Sequence, residues 1–249
     1  MNVLEISNLT KAFGGLKALE RISLSVQPGE ILGIIGPNGS GKTTLFNCIT
    51  GFLPFDSGSV IFDGQNIQGK RPHQIVNLGL TRTWQLVKPF FGMRVIEAMM
   101  VPSFSKRARS SHFSKKDEKE NVTGILRDMG LGEKLWQEVD NLSQGELRLL
   151  DISRALVTCP KILLLDEPFS GLSHKETENI SRVVRNLNSQ GFTVVIIEHR
   201  LRELMKLVQK VVVINFGQKI AEGAPEQIVQ EPEVIEAYLG KRRLKIGVA

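Results

Sequence analysis

The chain has 249 residues, 41% hydrophobic and 6% aromatic, enough for a large domain with its own core and unlike a low-complexity or disulfide-framework protein. Its net charge of +6 sits mainly in two runs, KRARSSHFSKK at 106–116 and KRRLK at 241–245; neither is interleaved with aromatics, so a solvated loop and a solvated tail are expected over a phosphate-binding or lipid-facing patch; the charge alone settles no partner, and no nucleic acid is expected as one. No stretch of about 18 apolar residues is present, and the start MNVLEISNLTK lacks the basic-then-apolar pattern of an export signal, so a cytoplasmic address is expected.

In chain order, residues 3–26 alternate partially between apolar and polar and are broken by Gly14-Gly15, which predicts short antiparallel strands with one solvated face. ILGII at 31–35, KILLLD at 161–166, TVVIIE at 193–198 and VVVI at 211–214 are continuous apolar runs, as expected of parallel strands buried on both faces. Helical patterns at 43–49, 144–157 and 175–188 separate them, and the alternation predicts an α/β core. Between residues 87 and 141 the pattern is helical, around 95–100 and 120–129, with the first basic run in between; this block reads as an inserted helical subdomain. NFGQKIAEG then reads as a hairpin, and PEQIVQEPEVIEAYLG as a helical pair interrupted at Pro232. Cys48 and Cys159 form neither a framework nor a metal-ligand pattern and are expected as reduced thiols on the core side.

The residues Gly36-Pro37-Asn38-Gly39-Ser40-Gly41-Lys42-Thr43 match G-x-x-x-x-G-K-[ST] between a buried strand and the helix TTLFNCIT. The glycines let backbone N–H groups face a phosphate, and the helix N-terminus, through Thr44, adds favourable field. Lys42 is expected on the β and γ phosphates and Thr43 on Mg²⁺. The second half of a nucleotide site is KILLLDE. Two acids at the C-terminal end of an apolar strand stand where open α/β sheets place ligands. Asp166 is then the metal ligand, and Glu167, projecting differently, orients and deprotonates the attacking water. A guanine-reading N-K-x-D element and a clustered-arginine substrate site are both missing, which argues against a GTPase or a P-loop kinase.

NLSQGELRLL at 141–150 has two readings. Ser143 and Glu146 form a capping box, with Leu142 and Leu147 as a hydrophobic staple. Gly145, however, would cost a first helical turn up to about 1 kcal/mol relative to alanine, so the same amides also read as an anion site.

Together these residues resemble an ABC ATPase, the nucleotide-binding subunit of ATP-binding-cassette systems, over nearly the whole chain. The ordered elements are GPNGSGKT, Gln85 in TRTWQL, LSQGE, LLLDEP, SGLS and His199 in IIEHR. The resemblance implies a P-loop NTPase core with an antiparallel β-subdomain and an inserted helical subdomain. It places Phe13 on the adenine, although a phenylalanine beside two glycines also suits a core position. It places Gln85 near Mg²⁺ and the water, and His199 on the γ-phosphate and Glu167. Ser143 and Gly145 are implied to meet the γ-phosphate bound by a second ATPase subunit, identical or related. Ser173 stands where the family usually has Asp or Asn.

FGGLKAL, TRTWQ, IIEH and the ending EGAPEQIVQEPEVIEAYLG further resemble the ATPases of branched-chain amino acid importers. The implied protein hydrolyses ATP as a head-to-tail dimer, with ATP and Mg²⁺ as cofactors, on transmembrane permease subunits at the inner face of the cell membrane. ATPases for urea, amide or other amino-acid import and for lipopolysaccharide export share much of this pattern, and a soluble non-transport ABC protein is the alternative class. The expected organisation is one ABC ATPase domain over 1–240, with the helical subdomain at about 87–157, a helical extension at 225–240 and a basic tail at 241–249.

Overall fold

The computed structural model describes residues 2–110 and 118–239. The chain forms two compact units, Met1–Gly69 with Val195–Ala249, and Lys70–Val194. In chain order the strands are β1 (Leu4–Phe13), β2 (Leu16–Val26), β3 (Ile31–Ile35), β4 (Ser57–Phe62), β5 (Gln65–Asn66), β6 (Leu80–Arg82), β7 (Ile162–Asp166), β8 (Thr193–Ile197), β9 (Lys210–Asn215) and β10 (Gln218–Gly223).

In the first unit, β1 and β2 form the expected antiparallel hairpin across Gly14-Gly15, with Leu4 opposite Val26 and Phe13 opposite Leu16. β4 joins the other edge of β1 antiparallel, and β5 follows it. Burial alternates along β2 and every residue of β3 is buried, so one sheet has a solvated face and the strand feeding the phosphate motif has none. β3 runs parallel to β9, and β9 turns back into β10. That turn is Phe216-Gly217, with φ of 45° and 76°, the two left-handed residues that match a two-residue hairpin to the strand twist. Helices Pro225–Ile228 and Pro232–Leu239 supply the pair expected around Pro232.

In the second unit, β6 lies parallel to β7, between helix Pro72–Leu78 and the helices that follow. Helices Val95–Ser103 and Glu118–Asp128 both pack on helix Gln144–Val157, and Val95, Met99, Val122, Leu126, Leu149 and Ile152 on these helices are buried. Helix Gln144–Val157 is buried on nearly all sides, Arg148 and Asp151 included. Helix His174–Ser189 instead buries one stripe, Thr177, Ile180, Val184 and Leu187, at helical spacing.

One expectation is corrected. The run 106–116 is not simply a solvated loop: Lys106–Ser110 is a short helix with Ala108 fully buried. Arg107 donates to the carbonyls of Cys159 at 2.6 Å and Leu78 at 3.2 Å, fastening the segment to two other parts of its unit. The rest of the run, 111–116, and the tail 241–249 lie outside the described residues. Among the described residues no helix is long and apolar enough to cross a membrane.

Cys48 is buried and free, and Cys159 is half-buried and free. Burial pushes the Cys48 thiol up to about 11, and the thiolate is the reactive species. In a Cys159→Ser variant, iodoacetamide at pH 8 should therefore modify Cys48 at least about 100-fold more slowly in the native protein than in urea-unfolded chain. Equal rates would show that the thiol is open to solvent.

Candidate active site

In the first unit the phosphate loop is held open by its own chain. Gly36 has φ 153°, and a Cβ there would lie 2.0 Å from the carbonyl oxygen of Ile214; at Gly41, φ 109°, it would lie 2.4 Å from that of Ala18. Neither position accepts a side chain. The Ser40 carbonyl accepts from the N–H of Gly217 at 2.9 Å, so the β9–β10 turn buttresses the loop. Lys42 is buried, and its Nζ donates to the carbonyls of Gly36 at 2.8 Å and Pro37 at 2.9 Å. An ammonium is thus poised inside the ring of loop atoms. Helix Lys42–Ile49 begins at Gly41 with no side-chain cap, which leaves its first N–H groups for an anion. Asn38, Gly39 and Thr43 are exposed, with Pro37 and Thr44 partly so.

Phe13 is 50% exposed at the tip of the β1–β2 hairpin, with the Lys11 ammonium 5.5 Å from its ring centre; it is a surface aromatic and not a core residue. The His199 side chain is 47% exposed, with Nδ1 3.7 Å from Oε2 of Glu198. Glu198 is fully buried, and its Oε2 accepts from the N–H groups of His199 at 2.8 Å and Arg200 at 3.0 Å. It fixes the turn that presents the histidine.

The second unit brings Gln85, Asp166 and Glu167 together. Gln85 donates through Nε2 to Oε2 of Glu167 at 2.7 Å. Glu167 has φ 47°, a left-handed conformation that costs a non-glycine residue about 1–2 kcal/mol and collects at functional positions. It turns this side chain out of the strand pattern, while Asp166 stays 1% exposed at the end of β7. The two acids therefore diverge as expected. Asp166 Oδ2 accepts from Arg82 at 2.5 Å, and its buried Oδ1 has no hydrogen-bond partner. Burial pushes this carboxyl up, against the opposing pull of Arg82. An orphaned carboxylate oxygen suits a hard divalent cation such as Mg²⁺.

The Gln85 backbone is gripped by helix Gln144–Val157. Arg148 donates to the carbonyl of Trp84 at 2.6 Å and to that of Gln85 at 2.9 Å, while the Trp84 N–H donates to Oδ2 of Asp151 at 3.2 Å. Burial raises the Asp151 carboxyl, opposed by the Trp84 N–H and by Arg154 and Arg148. At the start of the same helix the capping box is present: Ser143 N–H donates to Glu146 at 2.9 Å, and Glu146 N–H to Ser143 Oγ at 3.3 Å.

The space that Gly145 leaves is filled from within the unit. A Cβ there would lie 2.6 Å from Oε1 of Glu176. The Ser173 hydroxyl, then the Ser173 N–H and the Gly145 N–H, hold Glu176 below the ordinary carboxylate range. Ser173 itself caps helix His174–Ser189.

Arg82, Arg148, Asp151, Glu176 and Glu198 were not among the expected site residues. Two of them had a signal: Arg148 and Asp151 interrupt an otherwise apolar helical stretch, LRLLDI, where a solvated face is not available.

The family described as ABC transporter matches residues 19–170, and that described as branched-chain amino acid ATP-binding cassette transporter matches 218–243. The chain belongs to the ABC transporter family. It is 38% identical to the high-affinity branched-chain amino acid transport ATP-binding protein BraF of Pseudomonas aeruginosa, over 96% of this chain and 98% of that protein. It is also 38% identical to the probable branched-chain amino acid transport ATP-binding protein LivG of Archaeoglobus fulgidus, over 99% and 98%. The ADP conformation of an ATP-binding cassette of an ABC transporter superposes with a TM-score of 0.86 at 35% identity, covering 97% of this chain and all of that one. The chain is accordingly an ATP-binding ATPase.

The clamp on residues 84–85 predicts a stability effect. Arg148→Ala removes two charge-assisted bonds, at roughly 1.5–3 kcal/mol for a single bond of this kind, and leaves Asp151 short of a neighbouring cation. The urea midpoint should fall by an amount equivalent to about 2–3 kcal/mol. A loss under about 0.5 kcal/mol, typical of surface substitutions, would show that Arg148 holds nothing.

Proposed function

We propose that this protein is the ATP-hydrolysing subunit of a branched-chain amino acid importer, acting as a head-to-tail dimer with a second ATPase chain. The dimer would sit under transmembrane permease subunits at the inner face of the cell membrane. The observation that carries the catalytic reading is the Gln85–Glu167 bond on a left-handed backbone: it presents a carboxylate beside a buried acid and keeps the two from sharing one task. The relatives of nearly equal length support the transport reading, as does the matched C-terminal segment.

ATP would lie with its phosphates in the loop Gly36–Gly41, on the N–H groups of Asn38, Gly39, Ser40 and Gly41 with Gly36 and the N–H-less Pro37 shaping its start, and on Lys42, Thr43 and Thr44, and its adenine on the exposed ring of Phe13, a stack worth about 1–3 kcal/mol by analogy with nucleic-acid bases. Thr43, Asp166 and Gln85 would hold Mg²⁺, which when bound neutralises charge across the β and γ oxygens. Glu167 takes the proton from the attacking water, and Gln85 holds that carboxylate in place. His199 and Lys42 donate to the transferring phosphoryl group, where preorganised donors act on developing charge. Ser143 and the N–H groups around Gly145 meet the γ-phosphate bound by the partner chain, which requires Glu176 to withdraw from Gly145. The single cassette spans 1–240, with the helical block at about 87–157 serving as the permease-facing subdomain and 225–240 as a C-terminal extension.

Glu167→Gln should retain ATP binding and lose steady-state hydrolysis by about 100-fold or more; undiminished turnover would remove Glu167 from its role. For the dimer, a chain carrying Lys42→Ala mixed with one carrying Ser143→Arg should regain ATP-dependent dimerisation through one complete site. Dimerisation of the Ser143→Arg chain alone at the parental level, followed by sedimentation, would return this stretch to being a helix cap.

A further inference from the structure

Arg82 has no part in the nucleotide chemistry described above, yet its side chain is 4% exposed and its partner Asp166 1% exposed. Its placement follows from register. β6 and β7 are parallel with Arg82 opposite Leu164, and Asp166 is two residues further along β7, so both point to one face of the sheet. The guanidinium reaches along that face to Oδ2 of Asp166 at 2.5 Å. It is covered by the ring of Trp84, whose centre lies 4.7 Å away. From the backbone side, the Asp166 N–H donates to Thr83 Oγ1 at 3.3 Å. The carboxylate therefore cannot rotate without losing the ion pair.

A buried ion pair is a poor source of stability, because desolvating both charges offsets their attraction. This one is odder still, since it leaves Oδ1 buried with no hydrogen-bond partner. An arrangement that satisfies one oxygen and orphans the other is costly as structure and useful as orientation. We infer that Arg82 is a positioning residue: it occupies Oδ2 of Asp166 so that Oδ1 is the only oxygen of that carboxylate left to bind the divalent cation. The inference rests on the proposed role of Asp166 as a metal ligand. Groups that orient metal ligands from behind change metal affinity by roughly 10–100-fold when removed, and a guanidinium supplies a fixed planar donor where a lysine supplies a mobile point charge.

The test uses the full-length chain in the Glu167→Gln background, so that nucleotide is not consumed. Mn²⁺ binding to the ATP-loaded protein is titrated by electron paramagnetic resonance, and ATP binding in EDTA is measured separately. Arg82→Met should raise the Mn²⁺ dissociation constant about 10–100-fold while changing metal-free ATP affinity by less than about twofold. Arg82→Lys should fall between parent and Met, and it carries the test if Arg82→Met does not fold. A merely structural role predicts equal losses with and without metal, and that result would overturn the inference. So would unchanged Mn²⁺ affinity, or tighter binding, which would mark the guanidinium as a competitor for the metal's place. Asp166→Asn separates the two levels: if it leaves Mn²⁺ binding intact, the reading of Asp166 fails, whereas a loss there without a loss in the Arg82 variants overturns only the positioning role.

Discussion

One guanidinium, that of Arg148, holds two successive carbonyls, Trp84 and Gln85, and the placement of the candidate site residues in the second unit depends on this contact. Residues 84–85 lie beyond the end of β6 at Arg82. Arg148 supplies the donors, Asp151 accepts the intervening N–H, and the charge of each offsets the burial of the other. Trp84 so fixed lies over the guanidinium of Arg82, and Gln85 so fixed reaches Glu167. The helix that begins at Ser143 is therefore joined by short bonds to the residues around the two acids.

The first unit meets the same problem by different means. A phosphate site made of backbone N–H groups requires a loop that is turned inward and held there in the absence of its ligand. Lys42 does part of this by donating to Gly36 and Pro37, so the cation proposed for the phosphate also closes the loop. The β9–β10 turn does the rest, through Gly217 and Ser40. The hairpin turn thus carries the loop proposed to hold the phosphates.

This difference explains what was legible in the sequence. The phosphate loop relies on glycines and one lysine at fixed spacing, a local pattern, and the central strands are apolar runs with no solvated face. Both are visible in one pass along the chain, as are the hairpin after Ile214 and the break at Pro232. β6 was missed because three residues, Leu80–Arg82, are too few to show a period. The buried charges were missed for another reason. Arg82 meets Asp166 and Arg148 meets Trp84 across more than 60 residues of chain, and a charged residue read locally is assigned to water. Arg107 is the same case: within a basic run it looks solvated, and only the fold brings the Cys159 carbonyl to it.

Gly145 shows how a local reading is correct in form and incomplete in cause. A glycine in a first helical turn has a conformational cost, and the expectation was that its missing side chain leaves room for a phosphate. The room is occupied by the carboxylate of Glu176, which is itself half of the capping box begun by Ser173. A carboxylate and a phosphate make the same demand on a helix N-terminus, and both cannot be satisfied at one N–H. An incoming phosphate would have to displace Glu176 toward its second set of donors, the hydroxyl and N–H of Ser173, which already hold Oε2 at 2.7 and 2.9 Å. Serine can serve there because it is a donor. An aspartate at this position, the more usual residue of the family, would face Glu176 with a like charge and could not hold it in the same way. The departure from family pattern at Ser173 and the filling of the Gly145 space are thus two ends of one side chain, and the glycine is needed whichever anion is bound.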